Sequence, residues 1–340
     1  MKCYNLDGCA EKDAEDARRT ASRLDIPFYV FDFEKEYKDR VVDYMIRGYR
    51  DGVTPNPDVM CNKEIKFGLF LENAVSMGAD FIATGHYVCL RRNFQVPIFN
   101  FQKDSKFQIP NSKFSLWQAK DREKDQSYFL WGLTQEHLRH CLFPIGKYLK
   151  PEVREIARRA GLPTAEKKDS QGICFLGKFS LYDFLKESIP EKKGDILNED
   201  GGKIGEHNGA WFYTIGQRHI GFGDHKKGAG AKDIEARYVA MKDIEKNALT
   251  MVRGGENPFL YGTEAVLQNL NFIRPIKKKE MKTVFVRVRY RGPLSPSSLD
   301  TLEGAPVSAR VSFKRPQKII TPGKSAVIIQ KRASSWAGEL

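Results

Sequence analysis

The chain has 340 residues, 41% of them hydrophobic and 29% charged, which is enough for two or three globular domains. No apolar run is long enough to span a bilayer and no secretory leader pattern opens the chain, so we expect a cytoplasmic protein without a membrane partner. The 6 cysteines are scattered and form no CxxC pair, which argues against a disulfide framework and against a metal site. A net charge of +13 is compatible with a nucleic-acid partner and equally with a solvated basic surface.

The amino-terminal part, residues 12–90, has the pattern of alternating helices and strands. Alanines at 14, 17 and 21 recur at helical spacing and predict a helix. The apolar, aromatic stretch "IPFYVFDF" at 26–33 predicts a strand. Helices are predicted over 34–52 and 63–79, and a further strand at "DFIATGH", residues 80–86. This alternation predicts a parallel sheet with helices on both faces. Ligands of such sheets bind beyond the carboxyl ends of the strands, which is where Gly85 and His86 would lie.

The predicted secondary structure changes twice in the remainder of the chain. Residues 88–118 indicate a hairpin excursion, and helices are predicted over 124–143 and 150–163. From about residue 195 onward, short strands and turns predict a small β-barrel or sandwich. In "VFVRVRYRG", residues 284–292, valines alternate with arginines, so we expect one apolar face and one exposed arginine face.

Cys61 lies in "NPDVMCN", just ahead of the predicted helix at 63–79. A thiol before a helix amino terminus is favoured as thiolate, and Lys63 and Lys66 add positive charge. Asp58 would oppose this unless it transfers a proton or holds a substrate group. Cys61 is therefore a candidate nucleophile, and a buried structural thiol is the alternative.

Cys174 lies in "SQGICFLG", where Gly172 and Gly177 permit a tight and mobile loop. Lys167 and Lys168 could stabilise a thiolate or persulfide, or hold a phosphate. The two cysteines are far apart in sequence, so only the fold can bring them together. Gly-Lys-Ser at 323–325 is the ending of a phosphate loop, but a strand follows it, so we reject phosphate binding there.

Over nearly its whole length, the chain resembles the tRNA-specific 2-thiouridylases. The resemblance rests on stretches that occur in the family's order: "TPNPDVMCNKEIKFG", "ATGHY", "KDQSYFLWGLT", "LFPIGKYLKPEVREIA", "DSQGICFLG" and "YTIGQR". It implies an α/β ATP-pyrophosphatase domain with a Rossmann-like parallel sheet at 1–165, a small central domain with the persulfide loop at 166–235, and a tRNA-contacting β-barrel at 236–340. It also implies ATP, Mg²⁺, tRNA, and a sulfur-relay donor protein or cysteine desulfurase as cofactors and partners.

The family's reaction is the ATP-dependent 2-thiolation of the wobble uridine. By the resemblance, Cys174 bears the persulfide, Cys61 is its partner nucleophile, and Asp58 is the acid or base. The base-contacting residues would be Asn56, Pro57 and Asp58, and Gly85 would contact the nucleotide. The remaining tRNA contacts carried over are His86, Lys124, Asp125, Gln126, Arg289, Tyr290 and Gln317. Tyr290 is a possible stacking partner for a base.

One departure from the family concerns its Ser-Gly-Gly-x-Asp-Ser phosphate loop and the first strand before it, which this sequence does not contain. Two explanations are a start at an internal methionine and a homologue that no longer uses ATP. In either case the pyrophosphate has no cradle and the sheet lacks a central strand. We therefore expect the chain alone not to adenylate tRNA and to fold poorly. Two other functions stay open: a tRNA-binding protein without catalysis, and another ATP-pyrophosphatase such as an amide-forming ligase. The paired cysteine motifs disfavour both.

Overall fold

The computed structural model describes residues 1–6, 8–92, 114–167, 173, 175–177, 179–218, 220, 236–274, 276, 278–302, 308–330 and 333–339. Cys174 lies outside the described residues. Within the described part of the chain, no helix combines the length and the apolarity needed to cross a membrane.

The first domain is mainly helical and contains two short strand pairs, one parallel and one antiparallel. Its elements are α1 (Cys9–Arg23), α2 (Glu34–Tyr37), a π-helical segment (Lys38–Val42), α3 (Asp43–Arg50), α4 (Pro57–Met60), a second π-helical segment (Cys61–Leu69), α5 (Phe70–Ser76), β1 (Ile82–Ala83), β2 (Val88–Arg92), β3 (Phe114–Gln118), a 3₁₀ turn (Ser127–Leu130), α6 (Gln135–Arg139), β4 (Cys141–Leu142) and α7 (Lys150–Arg159). β1 pairs in parallel with β4, and β2 pairs with β3 in an antiparallel hairpin. The predicted parallel pairing and the predicted hairpin are both confirmed.

Two helix ends in this domain follow directly from glycines. Gly52 and Gly161 adopt left-handed φ angles of 78° and 64°, just beyond α3 and α7. A residue with a Cβ is strained in this region, so glycine is favoured where the chain leaves a helix.

Two predicted elements of this domain are wrong. The stretch 26–33 forms only one parallel bridge, between Lys2 and Asp32, and Ile26, Tyr29 and Val30 are exposed. An apolar run becomes a strand only where neighbouring strands bond to its backbone, and this run has one short bridge. Cys141, predicted within a helix, lies instead in β4, because α6 ends at Arg139.

The central domain is a helix and a four-stranded sheet. It contains α8 (Leu181–Lys186), β5 (Gly194–Leu197), β6 (Lys203–His207), a 3₁₀ turn (Ala210–Phe212), β7 (Arg237–Asp243) and β8 (Ala248–Arg253), with strand order β6-β5-β8-β7. The predicted boundary at residue 235 assigned β7 and β8 to the barrel. In the structure they join the central sheet, because β8 pairs in parallel with β5.

The third domain is a closed six-stranded barrel, as predicted from the sequence. After a 3₁₀ turn (Pro258–Leu260), it contains β9 (Tyr261–Phe272), α9 (Lys278–Met281), β10 (Val284–Arg287), β11 (Ser295–Leu302), β12 (Ser308–Lys318), β13 (Ser325–Gln330) and β14 (Ala333–Glu339), in the order β10-β11-β12-β9-β14-β13. Val284, Val286 and Val311 lie in its core. The Pro-Gly turn at 322–323 suggests from the sequence that β12 and β13 pair with each other. In the structure β12 pairs with β11 and β9, and β13 with β10 and β14.

Candidate active site

The helix that carries Asp58 and Cys61 begins earlier than predicted. Pro57 is its first residue, since a proline lacks the N–H that would be unpaired at this position. Cys61 therefore lies inside the helix, where the π-helical segment begins, and not ahead of its amino terminus. Asp58, in the first turn, occupies the position nearest the positive end of the helix dipole. The prediction that Cys61 lies at the positive end of the helix dipole is therefore wrong. The π-helical segment that begins at Cys61 is of a kind that is common at functional sites.

Asp58 lies in an environment that disfavours its charge. Burial raises the pKa of Asp58, and the positive charges of Lys66 and Lys324 act in the opposite direction. Desolvation dominates, so this carboxyl group takes up a proton more readily than one in water. A carboxyl group whose pKa is raised in this way is a candidate for proton exchange with a substrate.

Cys61 is 4% exposed and belongs to the core cluster shared by the first and central domains. Phe175 is a buried member of the same cluster, and Ile173 packs against it. The backbone at this point is attached to the amino-terminal segment, because Leu6 N donates to Phe175 O at 3.0 Å. Both sequence neighbours of Cys174 are thus anchored in the core that contains Cys61.

Three domains converge on the loop that leads into Asp58. Thr54 N donates a hydrogen bond to Pro322 O of the barrel at 2.8 Å, and its hydroxyl lies 3.3 Å from the Thr214 hydroxyl of the central domain. A Cβ built on Gly52 would lie 2.2 Å from Ile244 of the central domain, so this close packing requires glycine. The position of the Asn56–Asp58 stretch is therefore set by all three domains.

Asn56 and Pro57 are buried beside this loop. Asn56 precedes the first helical residue, and its carbonyl oxygen accepts a hydrogen bond from Met60 N at 3.3 Å. Further along the helix, Asn62 Nδ2 donates to Phe129 O at 3.1 Å and Lys66 Nζ donates to Asn62 Oδ1 at 3.0 Å. These bonds fix the direction in which the Lys66 ammonium group points.

His86 is buried between aromatic rings at the carboxyl end of β1. Its ring lies 5.6 Å from Phe67 and 6.3 Å from Phe143, and Nδ1 lies 2.8 Å from the Thr84 hydroxyl. Burial, assisted by Lys66, lowers the pKa of His86 to about 3. His86 is therefore neutral at physiological pH and contributes no positive charge towards a phosphate.

Asp125, within the predicted tRNA-contacting triplet, is 2% exposed and bonded on several sides. Its Oδ1 accepts from Ala119 N at 3.0 Å, and its Oδ2 accepts from the Ser127 hydroxyl at 2.9 Å and lies 3.5 Å from Arg287 Nη1. Gln126 is held against Tyr87 by a backbone bond of 2.9 Å and a side-chain bond of 3.0 Å. Asp125 thus shapes the segment that carries Lys124 and Gln126, both of which are half-buried.

The predicted arginine face of the barrel is only partly exposed. Arg289 and Arg291 are exposed, and Arg291 Nε donates to Glu123 O at 3.1 Å, whereas the half-buried Arg287 points to Asp125. Tyr290 packs on Phe129, with ring centres 4.6 Å apart. Gln317 is buried and bonded to the Ser295 hydroxyl. The structure therefore places only part of the predicted barrel contacts on the surface.

The comparisons with known proteins agree along the whole chain. Residues 2–178 match the model of the tRNA methyl transferase HUP domain, residues 182–253 that of the tRNA methyl transferase PRC-barrel domain, and residues 263–332 that of the aminomethyltransferase beta-barrel domain. Among similar proteins, a tRNA-specific 2-thiouridylase MnmA of Methylobacillus flagellatus is 39% identical over 97% of this chain and 85% of its own length.

Two further relatives cover the chain to a similar extent. The tRNA-specific 2-thiouridylase MnmA 1 of Geobacillus kaustophilus is 42% identical over 94% of this chain and 80% of its own length, and the MnmA of Chlamydia abortus is 41% identical over 92% and 80%. This chain belongs to the tRNA-specific 2-thiouridylase family. Its three-domain architecture is the one that the three matched domain models describe.

A member of this family needs room for a nucleotide, and Gly85 is the residue carried over for that contact. A Cβ built on Gly85 would meet no atom within 4 Å, so the backbone beyond β1 faces open space. This geometry fits a nucleotide that approaches the carboxyl end of the strand. For the Mg²⁺ that the family resemblance implies, the described residues contain no group of three or more His, Cys, Asp or Glu that could hold a metal ion.

Sequence reasoning missed two charged residues of this site. Lys66 was noted only as positive charge near Cys61, and Lys324 only as part of the rejected phosphate-loop pattern. Both act on the pKa of Asp58. The pairing of Lys324 with Asp58 joins two domains, so no local signal in the sequence reveals it.

Proposed function

We propose that this protein is a tRNA sulfurtransferase that 2-thiolates the wobble uridine through a persulfide on Cys174. The observation that carries the proposal is that Ile173 and Phe175, the neighbours of Cys174, pack in the core cluster that contains Cys61. A sulfur-transfer step between two thiols requires that their segments meet, and this core gives them a common anchor. No observation on the described residues favours the alternative of a tRNA-binding protein without catalysis.

The sulfur chemistry on this chain proceeds by thiol–disulfide exchange. A donor protein or cysteine desulfurase supplies sulfane sulfur to Cys174, which becomes a persulfide. The Cys61 thiolate then attacks the inner sulfur of that persulfide, forming the Cys61–Cys174 disulfide and releasing hydrosulfide. Hydrosulfide is the nucleophile for the C2 carbon of uridine, and a thiol reductant restores both cysteines.

ATP, when bound, supplies the activation that makes the C2 oxygen of uridine a leaving group. Gly85 would line the nucleotide at the end of β1, and Asn56, Pro57 and Asp58 would contact the target base. Asp58 would be the acid or base that exchanges a proton at the base. Reaching the base requires that it leaves the anticodon stack.

A test at the level of the thiols does not depend on the ATP step. The full chain is loaded with sulfur from a cysteine desulfurase, and persulfides and disulfides are located by alkylation and mass spectrometry. We expect a persulfide on Cys174 and then a Cys61–Cys174 disulfide. Cys61→Ser should retain the persulfide, Cys174→Ser should form none, and the control Cys89→Ser, in β2, should behave as wild type. A persulfide on another cysteine, or none, would overturn the proposal.

The second readout is 2-thiouridine itself. With tRNA, ATP, Mg²⁺ and the sulfur donor, the chain joined to the phosphate-loop segment of a family member should form thiolated uridine, detected by nucleoside mass spectrometry. This product should disappear in Cys61→Ser and in Cys174→Ser, and the chain without that segment should form none. Full thiolation by either variant would contradict the assigned roles.

A further inference from the structure

The barrel turn that contains Lys324 is fixed to the first domain on both sides of this residue. Before it, Pro322 O accepts the hydrogen bond from Thr54 N, and a Cβ built on Gly323 would lie 2.9 Å from Thr54 N. After it, Ser325 O accepts a hydrogen bond from the Tyr128 hydroxyl at 2.8 Å. The backbone around Lys324 therefore has little freedom relative to the loop that precedes Asp58.

The side chains beneath this turn form an apolar contact between the two domains. Val59, the residue after Asp58, shares one buried cluster with Val327 and Ile329 of β13 and with Tyr128 and Trp131. The first turn of α4 thus packs against the strand that begins at Ser325. Lys324 precedes this strand by one residue and is half-buried. Its side chain therefore leaves the chain at the turn that is docked on the first domain.

Electrostatics link the two residues in both directions. Burial lowers the pKa of Lys324, and the charge of Asp58 opposes that change. Burial raises the pKa of Asp58, and Lys66 and Lys324 oppose it. Lys66 reaches Asp58 from the same helix, whereas Lys324 reaches it from another domain. Each buried charge is stabilised by the other, which lowers the free energy of keeping both ionised.

We propose that Lys324 is a positioning residue for the thiolation site, whose charge favours the carboxylate form of Asp58 against desolvation when the barrel is docked on α4. The inference rests on the proposed function, in which Asp58 exchanges a proton at the target base. The barrel then does more than bind tRNA, because it completes the charge arrangement next to Cys61. Since the coupling is reciprocal, the charge of Asp58 also favours barrel docking.

The decisive experiment measures the ionisation of Asp58 directly, without any assay of activity. Aspartate side chains are labelled with ¹³C at the carboxyl carbon, the Asp58 signal is assigned with Asp58→Asn, and its pKa is followed by NMR. Lys324→Met should raise the pKa of Asp58 by about one unit, because a neighbouring opposite charge is lost. Lys324→Arg should restore it. The control Lys246→Met removes an exposed lysine that lies 3.4 Å from Asp243, and should leave Asp58 unchanged.

The pH dependence of thiolation gives a second readout. In Lys324→Met the acid limb of the profile should move towards higher pH by about the same amount. An unchanged pKa of Asp58 in Lys324→Met overturns the inference, whatever the activity. If the pKa moves but Asp58→Asn thiolates tRNA as well as wild type, the electrostatic link stands and the role of Asp58 in the proposed function fails.

A reciprocal measurement covers the case in which Lys324→Met does not fold. In Asp58→Asn, the pKa of Lys324 should fall, seen as acetylation of Lys324 at lower pH by quantitative mass spectrometry. An identical acetylation profile in wild type and in Asp58→Asn would also overturn the inference.

Discussion

Phe175 and Cys61 are buried in one hydrophobic cluster, although they belong to stretches that are far apart in the sequence. Phe175 is 1% exposed and its ring lies 5.8 Å from Tyr37 and 5.6 Å from Phe184. It ties the sequence next to Cys174 to α2 of the first domain and to α8 of the central domain. Phe175 thus anchors the proposed persulfide loop in the core, although its side chain takes no part in the thiol chemistry.

Phe175→Ala should lower the free energy of unfolding by about 3 kcal/mol, because a buried aromatic ring leaves a cavity. It should also slow formation of the Cys61–Cys174 disulfide, since the loop loses its anchor. Chemical denaturation measures the first effect and mass spectrometry the second. The matched control is Phe179→Ala, in the same segment but 52% exposed, for which we expect a change below about 0.5 kcal/mol. Equal effects of the two substitutions would argue against the anchor.

The neutral state of His86 predicts a loss of stability in acid. The pKa of His86 is about 3 in the folded protein, against an ordinary value of 6.5. A lowered pKa gives stability that is complete above pH 6.5 and decreases as the pH falls towards 3, because the unfolded chain binds the proton more readily. Between pH 6 and pH 4, wild type should lose roughly 1.4 kcal/mol per pH unit relative to His86→Gln. Unfolding curves of the two proteins at several pH values check this, and parallel curves would contradict it.

Asp125→Ala should act through stability and not through a direct contact with tRNA. The substitution leaves the guanidinium group of Arg287, which is 13% exposed, without this carboxylate, and removes the acceptor of Ala119 N. We expect the free energy of unfolding to fall by about 3 kcal/mol. The control Glu123→Ala, at an exposed side chain nearby, should change it by less than about 0.5 kcal/mol. A stable Asp125→Ala variant with weak tRNA binding would instead support a direct contact.

Arg289→Ala should weaken tRNA binding through the loss of one phosphate contact. Because binding releases counterions, the slope of log affinity against log salt should decrease by about one. Fluorescence anisotropy with labelled tRNA at several salt concentrations measures the slope. Lys246→Ala, an exposed lysine of the central domain, serves as the charge control. An unchanged slope in Arg289→Ala would remove Arg289 from the tRNA surface.

The sequence by itself determined most helices and the all-β character of the third domain, because helical spacing and strand alternation are local properties of the chain. The order of the domains and the choice of a barrel over a sandwich came from the family resemblance. The motifs around Cys61 and Cys174 were sufficient to indicate the family from the sequence. The sequence did not determine that stretch 26–33 would form only one bridge, or that the helix of Cys61 would begin at Pro57.

Only the tertiary structure decided how the polar residues are used. Asp125, Gln317 and His86 were expected at the tRNA surface, and each is buried with polar partners of its own. Lys324, by contrast, lies within the Gly-Lys-Ser stretch that was rejected as a phosphate loop, and it is one of the two lysines that lower the pKa of Asp58. Burial and charge pairing depend on residues from different domains, so they arise only when the barrel, the central sheet and the first domain pack together.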